Sequence, residues 1–154
     1  MGKTKYRQGI YRPINKHKCH TNTCIFRSSY ELAFMRWADK NPNVISWSSE
    51  SVVIPYIKPS DGKLHRYFVD NTATLKDEQG KLHKYLIEIK PSSALNPPKQ
   101  TPRKRRNTLI REQYFYSMNV AKWHAAKQWA AKKGYKFIIL TEKELKKSVI
   151  KVNN

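Results

Sequence analysis

The sequence predicts an α/β domain in which a largely antiparallel sheet stands between helices, and three observations carry that prediction. The chain has 154 residues, enough to bury one hydrophobic core and too few for two. Between Val44 and Lys90 the period is that of strands, with β-branched and aromatic runs at 44–48, 51–57, 65–76 and 81–90. Well-bounded helical segments precede and follow that block.

Residues 1–27 are basic and polar, with Lys3, Lys5, Arg7, Arg12, Lys16 and Lys18 interleaved with Tyr6 and Tyr11. They read as an N-terminal arm that the body, or a nucleic acid, must order. From 28 to 154 a single domain is expected. Ser28-Ser29-Tyr30-Glu31 opens a helix to about Lys40, and Pro42 closes it by pushing Asn41 out of the α region. Pro59-Ser60-Asp61-Gly62 and Asp77-Glu78-Gln79-Gly80 separate the strands that follow. The stretch 91–107, with Pro97-Pro98, Pro102 and Arg103-Lys104-Arg105-Arg106, reads as a mobile basic loop. Thr108 is the expected cap of a long helix to about Lys133, with Gly134 at its C′ position. Tyr135–Leu140 returns as a strand, and Thr141-Glu142-Lys143-Glu144 begins a short helix with a capping box.

Lys and Arg number 31 against 11 Asp and Glu, a net charge of +20, so a polyanion is the natural partner and nucleic acid the first candidate. No apolar run approaches the roughly 20 residues of a membrane span, and the N-terminus lacks an apolar signal core. With only two cysteines and no disulfide framework, a soluble, non-secreted, cytoplasmic chain is expected.

Within this basic chain two acids stand on apolar strands, Asp70 in Arg66-Tyr67-Phe68-Val69-Asp70 and Glu88 in Tyr85-Leu86-Ile87-Glu88-Ile89-Lys90. A carboxylate against such surroundings is costly unless a cation pairs with it. If Asp77–Gly80 forms a type I turn with Gly80 left-handed, Asp77 pairs with Lys81, and seven residues back along each strand Asp70 lies opposite Glu88. Opposed residues share a face, which Lys90 shares as well. Two facing carboxylates repel each other, so this register is best explained by Mg²⁺ or Mn²⁺ between them.

Glu31 on a first helix, Asp70 on one strand and Glu88-Ile89-Lys90 on the next resemble the PD-(D/E)XK nuclease superfamily, whose restriction-endonuclease-like core is a mixed sheet flanked by helices. Their order and spacing are similar to the TnsA-type endonucleases of transposons. The whole chain resembles the family of small head completion nucleases of T-even phages. Val69 stands where the motif name has Pro, and Asn71 where many relatives place an apolar residue.

The resemblance implies a metal-dependent DNA nuclease, endonucleolytic and also exonucleolytic, with little sequence preference. Asp70 and Glu88 would hold the metal with the Ile89 carbonyl, and Lys90 would orient water and stabilise developing charge. Glu31 would be a supporting or second-metal ligand, and Gln113 a helix residue near the scissile phosphate. Arg103, Lys104, Arg105 and Arg106, with Lys16 and Lys18, would clamp DNA. The implied setting is phage head completion and head-tail joining in the infected cell, with DNA and portal or neck proteins as partners and association with the virion.

Structural readings stand beside these. Ser28-x-x-Glu31 is also a capping box, Glu-x-Lys on a strand is often an exposed pair, and Arg103–Arg106 is also a solvated charge run. His17, Cys19, His20 and Cys24 lack the paired spacing of zinc sites, so the expectation is an arm with Cys24 tucked against the core and histidines near phosphate. Phe115, Met118, Trp123, Ala126 and Trp129 recur at helical spacing and read as core. The alternatives in function are a non-catalytic basic neck protein that binds DNA or the portal, and a transposon-type endonuclease subunit.

Overall fold

The computed structural model describes residues 8–147, 149 and 150; Lys3, Lys5, Tyr6 and Arg7 of the expected arm lie outside them. Strand β1 (Gly9–Tyr11) pairs antiparallel with β2 (Cys24–Phe26), and a 3-10 turn at Lys16–Lys18 lies between them. Helix α1 (Ser29–Lys40) follows, then β3 (Val44–Ser49), β4 (Val53–Ile57), β5 (Leu64–Phe68), β6 (Asn71–Lys76) and β7 (Leu82–Ile89). A second 3-10 turn at Ser92–Leu95 leads to α2 (Arg106–Lys133), β8 (Lys136–Leu140) and α3 (Glu142–Leu145).

The main sheet has the order β3-β6-β7-β8. β3, β6 and β7 are antiparallel neighbours, and β8 joins β7 in parallel. A parallel neighbour needs a long crossover, which α2 supplies. The sheet is therefore mixed, with helices on both faces.

The run predicted as one strand over 65–76 is two strands. β5 pairs with β4, and β6 with β3 and β7. Together β3–β4 and β5–β6 form one long antiparallel ribbon with a bulge, since between Ser49↔Asn71 and Val53↔Phe68 three residues on one side face two on the other. At the bulge Glu50 adopts a left-handed backbone, φ 51°, costly for a residue with a Cβ and frequent at functional sites. Its N–H donates to the Asp70 carbonyl at 3.0 Å, and the Val69 N–H donates to the Val52 carbonyl at 3.0 Å. The bend thus hands the chain from the sheet to the β4–β5 hairpin, where Pro55 is tolerated because β4 has one ladder partner among the described residues.

Two cores lie on opposite faces. Under α1 and the β1–β2 hairpin, Cys24, Phe26, Phe34, Met35, Trp47, Leu75, Ile87 and Leu140 pack together. Under α2, Ile54, Tyr56, Tyr67, Val69, Leu86, Ala126 and Ala130 do so. Alternation along β7 sends Tyr85, Ile87 and Ile89 to the first core and Leu86, with Glu88, to the face of α2. Trp123 is buried, and Met118 and Trp129 pack against the second core as expected. Phe115 is a correction: it is exposed, its ring edge-on to Tyr114, and the residues of α2 that pack on the second core begin at Met118.

Helix boundaries follow the capping logic. Ser28 Oγ accepts the Glu31 N–H, Gly134 takes φ 77° after α2, and Thr141 and Glu144 form the complete capping box. α2 begins at Arg106, two residues before the predicted cap; Thr108 lies within its first turn. The preceding segment is tied down by Lys104 Nζ, which donates to Glu112 Oε2 at 2.7 Å and to the Lys99 carbonyl at 2.5 Å. Ser92 N–H donates to Glu142 Oε2 at 2.8 Å, joining the turn after β7 to the start of α3.

A buried acid fastens the N-terminal hairpin. Asp39, fully buried near the end of α1, accepts from Tyr11 Oη at 2.6 Å, the Ile14 N–H at 2.8 Å and the Asn15 N–H at 2.9 Å. Burial alone would raise its pKa, but these donors together with Lys18 hold it below the usual carboxylate range. Lys18 is a second correction: it is buried, and its ammonium donates to the carbonyls of Asp39 at 3.0 Å and Asn41 at 2.7 Å. It closes the C-terminal end of α1, where carbonyls lack helical partners, and is not available to phosphate.

Candidate active site

The bend of the ribbon opens a cleft of about 490 Å³, lined by Arg27, Glu50, Arg66, Tyr67, Phe68, Asp70, Glu88, Lys90 and Lys122. The predicted register places the two strand acids here. The Asp77 N–H donates to the Lys81 carbonyl at 2.9 Å, Gly80 is left-handed at φ 83°, and the ladder runs back to Asn71↔Ile87. One step further Asp70 has turned out of the ladder, and its Oδ2 accepts the Ile89 N–H at 2.8 Å. The Ile89 carbonyl points to the same side of β7 as this N–H, toward the end of β6 where the ladder has stopped.

Glu88 is 4% exposed. Tyr67 Oη donates to its Oε2, and Lys90 Nζ stands 3.6 Å from its Oε1. Burial pushes the Glu88 carboxyl up, while Lys90, the tyrosine hydrogen bond and Lys122 pull it back. Burial and the charge of Glu88 push Asp70 up against the opposing Ile89 N–H and Lys90. Both acids are thus under pressure to hold a proton or meet a cation.

Glu31 reaches this region from the other face of the sheet, at the start of α1. Its Oε2 accepts the Arg27 N–H at 2.9 Å, one residue before the amide of a regular capping box. Burial and the negative charge of Asp70 raise its pKa to about 7. The capping contact and proximity to Asp70 coexist in one side chain.

Lys122 was missed in the sequence. It stands on the inward stripe of α2 with Met118 and Ala126, four residues to either side, at a position that packing alone would give to an apolar residue. Its ammonium lies 5.5 Å from the Tyr67 ring centroid and 5.7 Å from that of Tyr56. Burial and nearby Lys90 lower its pKa, and Glu88 and Asp70 raise it. A lysine interrupting an apolar helical stripe was the available signal. Glu50 was missed too; its carboxylate pairs with Arg27 at 3.0 Å on the cleft wall.

Gln113 is a correction: it is exposed, outside the cleft lining, and nine residues before Lys122, about half a turn round α2 and about 13 Å along it. Arg103 and Arg105 are exposed before α2 and Arg106 is exposed at its first position, whereas Lys104 is engaged by Glu112. Lys16 is exposed beside the Asn15–Asp39 contact, and Asp39 is eight residues after Glu31, so about 12 Å along α1 from it. Cys24 is buried as expected, with its Sγ 3.1 Å from that of Cys19.

Among the described residues no group of three or more His, Cys, Asp or Glu side chains forms a cage for a metal ion. The donor set at the cleft suits a hard cation that keeps its waters: two carboxylates, each held by a hydrogen bond at one oxygen, with a backbone carbonyl beside them.

Residues 41–142 match the sequence profile of the TnsA-like endonuclease N-terminal domain. That segment contains Asp70, Glu88, Lys90 and Lys122, while Glu31 precedes it. The chain is 41% identical over 142 residues to the head completion nuclease of Enterobacteria phage T4, a match covering 89% of this chain and 91% of that protein. The mixed sheet with flanking helices is the restriction-endonuclease-like core expected of such a domain.

Proposed function

The chain belongs to the TnsA-like endonuclease family, and from that premise we propose that it hydrolyses DNA phosphodiesters with a divalent cation, Mg²⁺ or Mn²⁺, at the Asp70–Glu88 cleft. The observation that carries the reading is the arrangement of two charge-stressed acids with Lys90 and Lys122 in one cleft. Asp70, Glu88 and the Ile89 carbonyl would hold the ion, with Glu31 in support. Bound there, the ion would supply Lewis-acid polarisation of the phosphate and a water of lowered pKa.

The chain's own groups do the rest. The Tyr67 hydroxyl and the Ile89 N–H fix one oxygen of each acid, leaving the other to the cleft. The Lys90 ammonium, 3.6 Å from Glu88, offsets charge developing on the phosphate. Lys122, raised on the Tyr56 and Tyr67 rings, grips a phosphate from the α2 side, and Arg27 and Arg66 extend the basic wall. Backbone phosphates are sequence-independent targets, and this lining suits cutting with little sequence preference.

Similarity to the phage protein supports a role in head completion, cutting packaged DNA so that the filled head accepts its neck and tail, with portal or neck proteins as neighbours. Plasmid nicking with and without Mg²⁺ tests the chemistry. Native protein nicks only with the metal; Glu88→Ala removes activity, and Lys90→Ala lowers it by roughly 10²–10³-fold. Equal nicking by all three would detach the cutting from this cleft, and no nicking by the native chain would leave a protein that binds DNA without cutting it. Lys122→Met, which keeps the stem on the tyrosine rings, lowers kcat/KM by about ten- to a hundredfold, the loss expected of a charged contact of 1.5–3 kcal/mol. Unchanged kinetics in that variant would remove Lys122 from the site.

A further inference from the structure

The outer face of the β4–β5 hairpin is apolar where it meets the cleft. Phe68 is 49% exposed and its partner Val53 40% exposed. The Phe68 ring lines the cleft itself, two residues before Asp70 and so about 7 Å from it along the chain. Arg66 sits over this ring, its guanidinium carbon 5.8 Å from the centroid, and lines the same cleft.

A large exposed ring is costly in water and contributes nothing to the core under α2, which the hairpin serves through Tyr67 and Val69 on its other side. A ring with an arginine, at the edge of a basic cleft, has the chemistry that takes a nucleobase and its phosphate. Bases inside a duplex are stacked on each other and offer no free face to such a ring. An unpaired base does.

We propose that Phe68, with Arg66, is a stacking platform for an unpaired base next to the scissile phosphate, so that the preferred substrate is DNA with an unpaired strand at the cut. The proposal rests on the nuclease reading of the cleft and names the form of DNA it takes. Val53 extends the platform on the neighbouring strand, and Arg66 binds the phosphate of the stacked nucleotide.

Binding is measured by fluorescence anisotropy in EDTA at fixed salt, for a single strand of about a dozen nucleotides and for the blunt duplex of the same sequence. In Phe68→Ala the single-strand affinity falls about ten- to a hundredfold, the worth of one base stack, and the ratio of single-strand to duplex affinity falls at least about tenfold. Phe68→Trp keeps the ratio, and Phe68→Leu loses it although its apolar bulk remains. A 2-aminopurine in the strand is quenched by native protein and not by Phe68→Ala. An unchanged ratio in Phe68→Ala, or a leucine variant that behaves like tryptophan, overturns the platform. Because these readings are taken without metal they stand apart from hydrolysis, whose failure would show only as absent nicking by the native chain.

Discussion

Asp70→Asn is expected to be inactive and, without metal, more stable than the native protein. Asparagine keeps the shape and the acceptor for the Ile89 N–H while removing a charge that burial and Glu88 disfavour. Loss of one of two carboxylates in a metal-assisted hydrolysis removes several kcal/mol of transition-state stabilisation, about 10³-fold or more in rate. Stability follows from proton linkage. Asp70, Glu88 and Glu31 all have raised folded pKa values, Glu31 about 7, so between the ordinary carboxylate range and those values the folded chain binds more protons than the unfolded one. Stability without metal therefore falls as pH rises through that window, which for Glu31 ends near 7. The native Tm in EDTA should drop by roughly 4–8 °C from pH 5 to pH 8, and that of Asp70→Asn by less than half as much. Mg²⁺ should raise the native Tm more at pH 8 than at pH 5. An Asp70→Asn protein that melts lower than native at pH 8, or that nicks within tenfold of it, would refute this account.

Asp39→Ala should be the most destabilising single substitution away from the cleft. The carboxylate is fully buried and collects three hydrogen bonds from the segment Tyr11–Asn15. Truncation leaves those donors unmatched and Lys18 as a buried cation without its neighbouring negative charge, a loss of about 3–5 kcal/mol or roughly 6–20 °C in Tm. Asp39→Asn, which retains one acceptor oxygen, should lose less than the alanine variant. Because the folded pKa is depressed, this stabilisation is present above the ordinary Asp range and vanishes as pH falls through the lowered value. The difference between native and Asp39→Ala in thermal unfolding should therefore shrink in strong acid, and a constant difference down to pH 2 would speak against a charged rivet.

What was legible in the sequence was whatever local chemistry decides. Ser28, Gly134 and the Thr141–Glu144 box set helix ends because capping acts within one turn. Gly80 fixed the hairpin register, and with it the meeting of Asp70 and Glu88, because side chains alternate with a period of two and a slip would have turned every one over. Features decided at a distance were harder to see. The bend at Glu50 and Asp70 breaks a β-rich run through pairing with two different partners, so no local propensity announces it. Lys18 carries the same charge as Lys16, and only the end of α1 makes it internal. Lys122 was visible in principle, as the one charge on an apolar stripe, but which stripe faced a cleft depended on where α2 lay across the sheet.

The parallel seam between β7 and β8 has a consequence for the order of assembly. Lys90 is tethered through its N–H to the Leu140 carbonyl at 3.0 Å, and Ser92 to Glu142 at 2.8 Å, so the end of the strand bearing Glu88 is clamped by residues synthesised some fifty positions later. The β6–β7 hairpin closes over a few residues and is expected to form early, whereas β8 can pair with β7 only after the whole of α2 has been made. A chain halted before residue 136 lacks the Leu140 carbonyl that holds the Lys90 N–H. The proposed cleft is expected to be complete only once β8 has joined the sheet beside β7.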